Sequence, residues 1–277
     1  MKVINKDKYR IESFDSFGEF IDRAKANKAP LSSNKEEKNN WSGTKSLAKA
    51  CELAHVGWTK VRPQVDTILN DLESRIAMTI GDRFVTTFGV NGCTVDMGRF
   101  MSGEPECMQD FSLEPEAGMG KVVKVLVSGV TSANVSPDHI MSRGCAVLAL
   151  VDTLHKLGVG IELWWESTIE GSDSKTHAVS VKLHDSSEML DINGVMFALA
   201  HPSMLRRLQF SVQEQSETAK QQNVGGGYGY CTVPLAMTNE DSFDVVIEKL
   251  EYGTEKIVSN PMDWVVNTVR GLNLIEE

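Results

Sequence analysis

Four charged residues fall in one short stretch: Asp96, Arg99, Glu104 and Glu106 in "DMGRFMSGEPE". Carboxylates beside an arginine are the raw material of general acid/base work, and paired carboxylates can hold a metal ion. The commoner outcome of such a cluster is a surface ion-pair network, and that reading is preferred. A second candidate is His201 in "AHPSMLRRL", with Ser203, Arg206 and Arg207 close behind. A helix start flanked by arginines could receive an anion. The plainer reading is a capping histidine followed by two solvated arginines.

A third candidate is the loop "SGVTSANVS", which offers Ser128, Thr131, Ser132, Asn134 and Ser136. In an open α/β sheet, ligands settle beyond the carboxyl ends of strands, where strand order reverses. This loop follows an apolar strand and precedes a helix start, so it sits where a ligand or partner would. Its hydroxyls and single amide include no carboxylate. Such a set is too weakly charged to dehydrate Mg²⁺, so no metal and no cofactor is expected. Tyr228 lies in "GGGYGY", whose glycines follow "QQN" rather than a strand. That placement predicts a flexible or tightly turning loop rather than a phosphate cradle.

Several chemistries have no signature in the chain. There is no GxSxG, no GxGxxG after a strand and no GxxxxGK[ST]. The five cysteines, Cys51, Cys93, Cys107, Cys145 and Cys231, are widely spaced and form no CxxC. They fit reduced thiols in a cytosol. The formal net charge of −10 disfavours a sequence-independent grip on nucleic acid. Arg206, Arg207, Trp164, Trp165, Tyr228 and Tyr230 could nevertheless supply cationic and stacking groups to a single strand. The opening "MKVINKDKYRIESF" is too charged for a signal peptide. No apolar run approaches the ~20 residues of a membrane span, so no membrane role is expected.

The elements that must position these candidates follow from periodicity. With 277 residues and an apolar fraction of 41%, the chain can bury a sizeable core. Residues 1–40 open with a short apolar-aromatic stretch and end in "KANKAPLSSNKEEKNN", read as a solvated linker. Leu47, Ala50, Cys51 and Ala54 recur at helical spacing up to a stop at Gly57. A second helix starts near Pro63, with Val65, Ile68, Leu69, Leu72 and Ile76 as its stripe. Trp41 and Trp58 are expected to fill hydrophobic gaps. Residues 83–111 read as β-rich and turn-rich, with a hairpin at Asn91-Gly92.

The later part alternates strand and helix. "KVVKVLVSGV" is a buried strand, and Ser136-Pro137-Asp138 starts a helix that closes at Gly158. "VGIELWWESTI" and "THAVSVKLHD" are further strands. "EMLDINGVMFALAHPSMLRRLQFSVQEQ" is helical with a break at His201-Pro202. A late strand, "SFDVVIEKLEY", and a closing helix, "SNPMDWVVNTVRGLNL", complete the pattern. This order predicts an α/β protein with a mainly parallel open sheet flanked by helices, preceded by a helical and β-hairpin region. The expected divisions are 1–40 as N-terminal segment and linker, 41–115 as helical pair plus β-rich turns, and 116–277 as the α/β domain.

The segments "NWSGTKSLAKACELAHVGW", "TVDMGRFMSGEPECM", "SRGCAVLALVDTLHKLGVGIEL" and "HPSMLRRLQFS" resemble a group of uncharacterised bacteriophage and prophage proteins. The likeness spans most of residues 40–275. It implies a viral origin and expression in the host cytoplasm, and it implies no activity. From residue 121 onward the order of elements also resembles a von Willebrand factor A-type domain. That family holds a divalent cation in an Asp-x-Ser-x-Ser loop, whereas the matching "SGVTSANVS" lacks the leading Asp.

These features favour a phage-encoded, non-catalytic adaptor that holds a phage or host protein. One alternative is a phage nucleic-acid transaction factor that binds single-stranded DNA or recruits a polymerase. Another is a metal-dependent hydrolase, nuclease or counter-defence enzyme built on Asp96, Glu104 and Glu106 with Arg99 or His201. A structural role in the virion is a further one.

Overall fold

The computed structural model describes residues 1–274 apart from 7, 30, 32, 36–40, 78–81, 116–120, 133–134, 172–174, 222–227, 229, 236–242 and 252–255. The chain begins with β1 (Lys2–Lys6), β2 (Tyr9–Phe14), α1 (Phe17–Lys25), α2 (Leu47–Val56) and α3 (Arg62–Ala77). A small β unit follows: β3 (Asp82–Gly89), β4 (Thr94–Val95), α4 (Met97–Met101) and β5 (Met108–Pro115). Next come β6 (Val122–Ser128), α5 (Pro137–Lys156), β7 (Gly160–Glu170), β8 (Thr176–His184) and α6 (Ile192–Ala200). A π-helical turn (Met204–Gln209) runs into α7 (Phe210–Gln215). It is followed by α8 (Glu217–Gln221), β9 (Tyr230–Cys231), β10 (Val245–Ile247), α9 (Lys256–Ser259) and α10 (Pro261–Gly271).

The chain is α/β, with an open sheet flanked by helices. The main sheet has the order β1–β2–β8–β7–β6–β10, and β9 adds to β7. Strands β10, β6 and β7 are parallel, and so are β2 and β8. The pairs β1–β2, β7–β8 and β7–β9 are antiparallel. Thus β7 and β8 form a hairpin, with a bulge between Leu163 and Trp164.

Local signals explain the helices. Ser136 accepts from the His139 amide at 3.3 Å, Pro137 occupies the first turn of α5, and Gly158 closes it with φ +72°. Ser46 caps α2, and Gly57 ends it with φ +94°. Asn260 caps α10. Almost every residue of α5 from Arg143 to Leu154 is buried, so α5 is the central helix. Beneath it lie Val123, Val125 and Val127 of β6, Ile161 and Leu163 of β7, and Val245 and Ile247 of β10. A neighbouring cluster joins Phe14, Trp165, Val179 and Val181 to α1, α2, α6 and the π turn. Each fully buried large apolar side chain here contributes about 1.5–3 kcal/mol. The expected core positions Leu47, Ala50, Cys51, Ala54, Val65 and Leu69 are buried, and Ile68 is half-buried. The side chains of Leu72 and Ile76 lie outside the described residues. Trp41 and Trp58 are both half-buried against core clusters, as gap-filling requires.

Two expectations change. Residues 1–40 are not a segment set apart from the α/β domain. Strand β2 pairs with β8 from Tyr9↔Thr176 to Phe14↔Val181, so the sheet spans both sides of the boundary expected at 116. That pairing joins residues far apart in sequence, and no local pattern announces it. Nor do β3 and β4 pair across Asn91-Gly92. Both pair with β5, giving the order β3–β5–β4. A Cβ at Gly92 would stand 2.4 Å from the Gln109 carbonyl oxygen, so the turn folds over β5 rather than closing a two-residue hairpin.

Candidate functional site

The small sheet brings the first candidates together. Asp96 caps α4, accepting from the Arg99 amide at 3.0 Å, and its other oxygen accepts from Gln109 Nε2 at 3.2 Å. Arg99 meets Glu104 at 3.3 Å, donates to the Glu106 carbonyl at 3.5 Å, and lies 3.8 Å above the Phe88 ring. The Arg99–Glu104 pair is exposed, which limits it to roughly 0–1 kcal/mol. These contacts are those of a helix cap and a surface ion pair. Cys93 donates to Asp110 Oδ1 at 3.0 Å, a bond that holds the thiol above its ordinary range and disfavours a thiolate.

Around this cluster lies an apolar surface that the sequence reading did not single out. Phe88, Val90, Val95, Met97, Phe100, Met101 and Phe111 are all exposed, with Met101 at 79% and Phe100 at 59%. Cross-strand register puts Phe88 and Phe111 on one face, and Arg99 over Phe88 places α4 on that side. The signal was in the text: five Phe or Met side chains between 88 and 101 and at 111, in a stretch otherwise read for its charges. Residues 82–115 carry six acidic side chains and two basic ones, a net of 2 − 6 = −4.

His201 is part of the packing. It is 5% exposed, ends α6, and lies between Trp58 (4.6 Å, edge-on) and Phe197 (4.8 Å, stacked). Its Nδ1 accepts from the Ser203 amide at 3.0 Å, which fixes the neutral tautomer with the proton on Nε2. Burial, aided by Lys60, pushes its pKa down to about 4. The capping reading is the one the geometry supports.

The two arginines part company. Arg206 is exposed, as expected, with its guanidinium 5.2 Å from the rings of both Trp41 and Phe210. Arg207 is not solvated, at 2% exposure. It donates to the carbonyls of Ser33 (2.9 Å), Lys35 (2.6 Å), Thr44 (3.2 Å) and Lys45 (3.4 Å). It ties down a segment whose own backbone acceptors would otherwise be buried unmet. Tyr228, at φ +60°, stacks on Phe210 at 3.9 Å and donates to Glu214 at 2.5 Å. Its loop neighbours lie outside the described residues.

Of the hydroxyl loop, Ser128 is buried and Thr131, Ser132 and Ser136 are half-buried. Ser128 is fully buried, and its Oγ has no hydrogen-bond partner among the described residues. Thr131 bridges to Leu250, and its carbonyl accepts from Cys231 Sγ at 3.3 Å. The Ser132 amide donates to Leu250 at 3.0 Å, and Ser136 is the α5 cap. Asn134 lies outside the described residues. Glu166 stands opposite Ser128, with its Oε1 accepting from Thr168 Oγ1 and the Leu235 amide, each at 2.6 Å. The donors do not fit a hard divalent cation. The loop brings no carboxylate, and the nearest one is engaged. No three His, Cys, Asp or Glu side chains converge on a metal-binding arrangement among the described residues.

One buried polar cluster had no signal in the sequence. Glu12 of β2, His177 of β8 and Ser216 before α8 are each at most 3% exposed. Ser216 donates to Glu12 Oε1, and both the Ser216 hydroxyl and Glu12 Oε1 lie 3.5 Å from His177 Nε2. The residue types are those of a nucleophilic triad, but the wiring is not. A triad histidine uses one ring nitrogen for each neighbour. Here both neighbours share Nε2, and Nδ1 has no partner among the described residues. Ser216 also caps α8 by accepting from the Ala219 amide at 3.0 Å. The cluster fastens β2, β8 and α8 together.

Fold and site together define an α/β protein with a small antiparallel sheet that displays exposed apolar side chains beside an acidic cluster. The chain belongs to a family described as a domain of unknown function (DUF7192), whose model matches residues 2–276. No curated protein and no solved structure matches it. No described helix is long and apolar enough to cross a membrane.

Proposed function

We propose that this chain is a non-catalytic protein-interaction module, a phage-encoded adaptor acting in the infected host cell, with the small sheet and α4 as its docking face. The observation that supports the reading is the grouping of Phe88, Met97, Phe100, Met101 and Phe111 at 37–79% exposure in one 24-residue stretch (88–111). Large apolar side chains gathered on a surface and rimmed by charge mark interaction sites. The net charge of −4 (2 − 6) over residues 82–115 favours a partner that offers Lys and Arg beside its apolar side chains.

The competing readings have weaker support. An enzyme built on Asp96 and His201 would need groups that here cap helices. A single-strand binder would rest on Arg206, Arg207, Trp164, Trp165, Tyr228 and Tyr230, of which Arg207 and Trp165 are buried, Trp164 donates to Glu162 at 2.7 Å, Tyr228 is stacked on Phe210, and Arg206 and Tyr230 are exposed. The net charge of −10 opposes it further.

The test is a photo-crosslinking side chain placed at Phe100 in the full-length chain, in the cell that makes it, with a matching one at exposed Met189 as control. The expected result is one dominant adduct from position 100, lost in a Met101→Asp, Phe111→Asp background and absent from position 189. Equal adducts from both positions, or none, would sink the docking reading. A salt-dependent rise in anisotropy of a labelled single-stranded oligonucleotide would favour the nucleic-acid reading instead.

A further inference from the structure

The backbone of the small sheet is as open as its apolar face. Among the described residues β3 has one neighbour, β5, along its whole length, so its outer edge is unpaired from Asp82 to Gly89. An edge strand of this length presents a row of N–H and C=O groups that a further strand can pair with.

Which groups point outward can be read from one bond. The Phe111 amide donates to Asp110 Oδ1 at 3.0 Å, so it turns away from β3. In an antiparallel ladder that makes Phe111↔Thr86 a non-hydrogen-bonded pair, and the backbone groups of Thr86 then point outward as well. By alternation, Phe84 and Phe88 also offer outward N–H and C=O groups, while Val85 and Thr87 spend theirs on β5.

We infer that the docking face takes its partner by strand addition: an extended segment of another protein, alternating apolar and Lys/Arg side chains, pairs with the outer edge of β3. The inference rests on the docking reading above and supplies its mode and partner chemistry. Charge selects the occupant. β3 itself carries one charge of each sign, Asp82 and Arg83, but residues 82–115 carry a net of −4 (2 − 6) and the whole chain −10, so the surrounding field opposes a second copy of this chain and favours a basic strand. Main-chain bonds along β3 give affinity, and the exposed Phe88, on the strand that would pair with it, receives the apolar side chains of the added strand.

The probe is an eight-residue peptide of alternating Val and Lys, compared with its Val–Glu counterpart, added to the full-length chain while amide hydrogen exchange is followed. The Val–Lys peptide slows exchange at Phe84, Thr86 and Phe88 about tenfold, and the Val–Glu peptide leaves it unchanged. Thr86→Pro removes one outward N–H without touching a ladder bond, so it weakens peptide binding about tenfold while the Thr87 amide stays protected. Thr86→Lys, which keeps the N–H and adds a cation at the edge, weakens the Val–Lys peptide as well.

Wild-type binding by both variants overturns strand addition. Protection confined to α4 also overturns it, while leaving the docking face itself standing. Equal binding of both peptides overturns the basic partner. A concentration-dependent dimer with β3 protected in the absence of peptide assigns the edge to a second copy and overturns it too.

Discussion

Arg207 shows how a charge changes meaning once it is desolvated. Beside Arg206 in sequence it looks like half of an anion-binding pair, yet its guanidinium serves four backbone carbonyls between Ser33 and Lys45. Arg207→Met would take this donor from the buried carbonyls of Ser33 and Thr44, the second of which keeps its bond from Ser42 Oγ, and from the part-buried carbonyls of Lys35 and Lys45. It should lower unfolding free energy by about 3 kcal/mol and speed tryptic cleavage after Lys35 and Lys45, as read by urea titration and limited proteolysis. A loss under about 1 kcal/mol would show that water replaces the guanidinium freely.

His201 carries a pH dependence of definite sign. Its pKa falls from 6.5 unfolded to about 4 folded, mainly through burial. Between those values the unfolded chain binds the extra proton, so stability is full above about pH 6.5 and declines as pH drops toward 4. The decline from this one group is up to about 3 kcal/mol. Urea midpoints measured at pH 7.5 and pH 5 should differ more for the wild type than for His201→Phe. Equal differences would assign the acid sensitivity elsewhere.

At the scale of elements, the contact between α5 and α6 depends on one missing side chain. A Cβ on Gly144 would stand 2.4 Å from Ala200 Cβ and 2.8 Å from the Leu199 carbonyl oxygen. Mid-helix glycine ordinarily weakens a helix by about 1 kcal/mol relative to alanine. Here the close approach reverses the sign, and Gly144→Ala should destabilise by about 1–3 kcal/mol through overpacking. A raised melting temperature in a thermal scan would refute that. The glycine was visible in "SRGCAVLAL", but only the placement of α6 across α5 shows what it permits. The same division runs through the other elements. Ser46, Gly57, Ser136, Pro137, Gly158 and Asn260 act on their own turns, so the helix ends they set were readable from the chain. The pairing of β2 with β8, and of β3 with β5 rather than β4, joins segments whose local patterns fit other partners equally well.

At the scale of the whole molecule, the main sheet and the small sheet differ in what they bury. The main sheet hides Leu126, Leu163, Val179 and Val181 almost completely, whereas the small sheet leaves Phe100, Met101 and Phe111 in water. Side chains left about half or more in water contribute little to folding. The paired change Met101→Asp, Phe111→Asp should therefore leave the unfolding midpoint within about 0.5 kcal/mol of wild type while removing the crosslink from position 100. Loss of stability along with loss of the adduct would mean that these residues are core rather than docking surface.

By itself the sequence determined the α/β class, the ends of α2 and α5, the start of α10 and the strands at the centre of the main sheet, because periodicity, caps and turn residues act over a few neighbours; α1 and α4 it did not show. It also brought Asp96, Arg99 and Glu104 within reach of one another, since a cap and a short helix suffice for that. Only the tertiary structure decided that Arg207 is buried, that Glu12 meets His177 and Ser216, and that the aromatics of the small sheet face solvent. Burial, desolvation and strand pairing are set by what arrives from elsewhere in the chain, and no local pattern encodes that arrival.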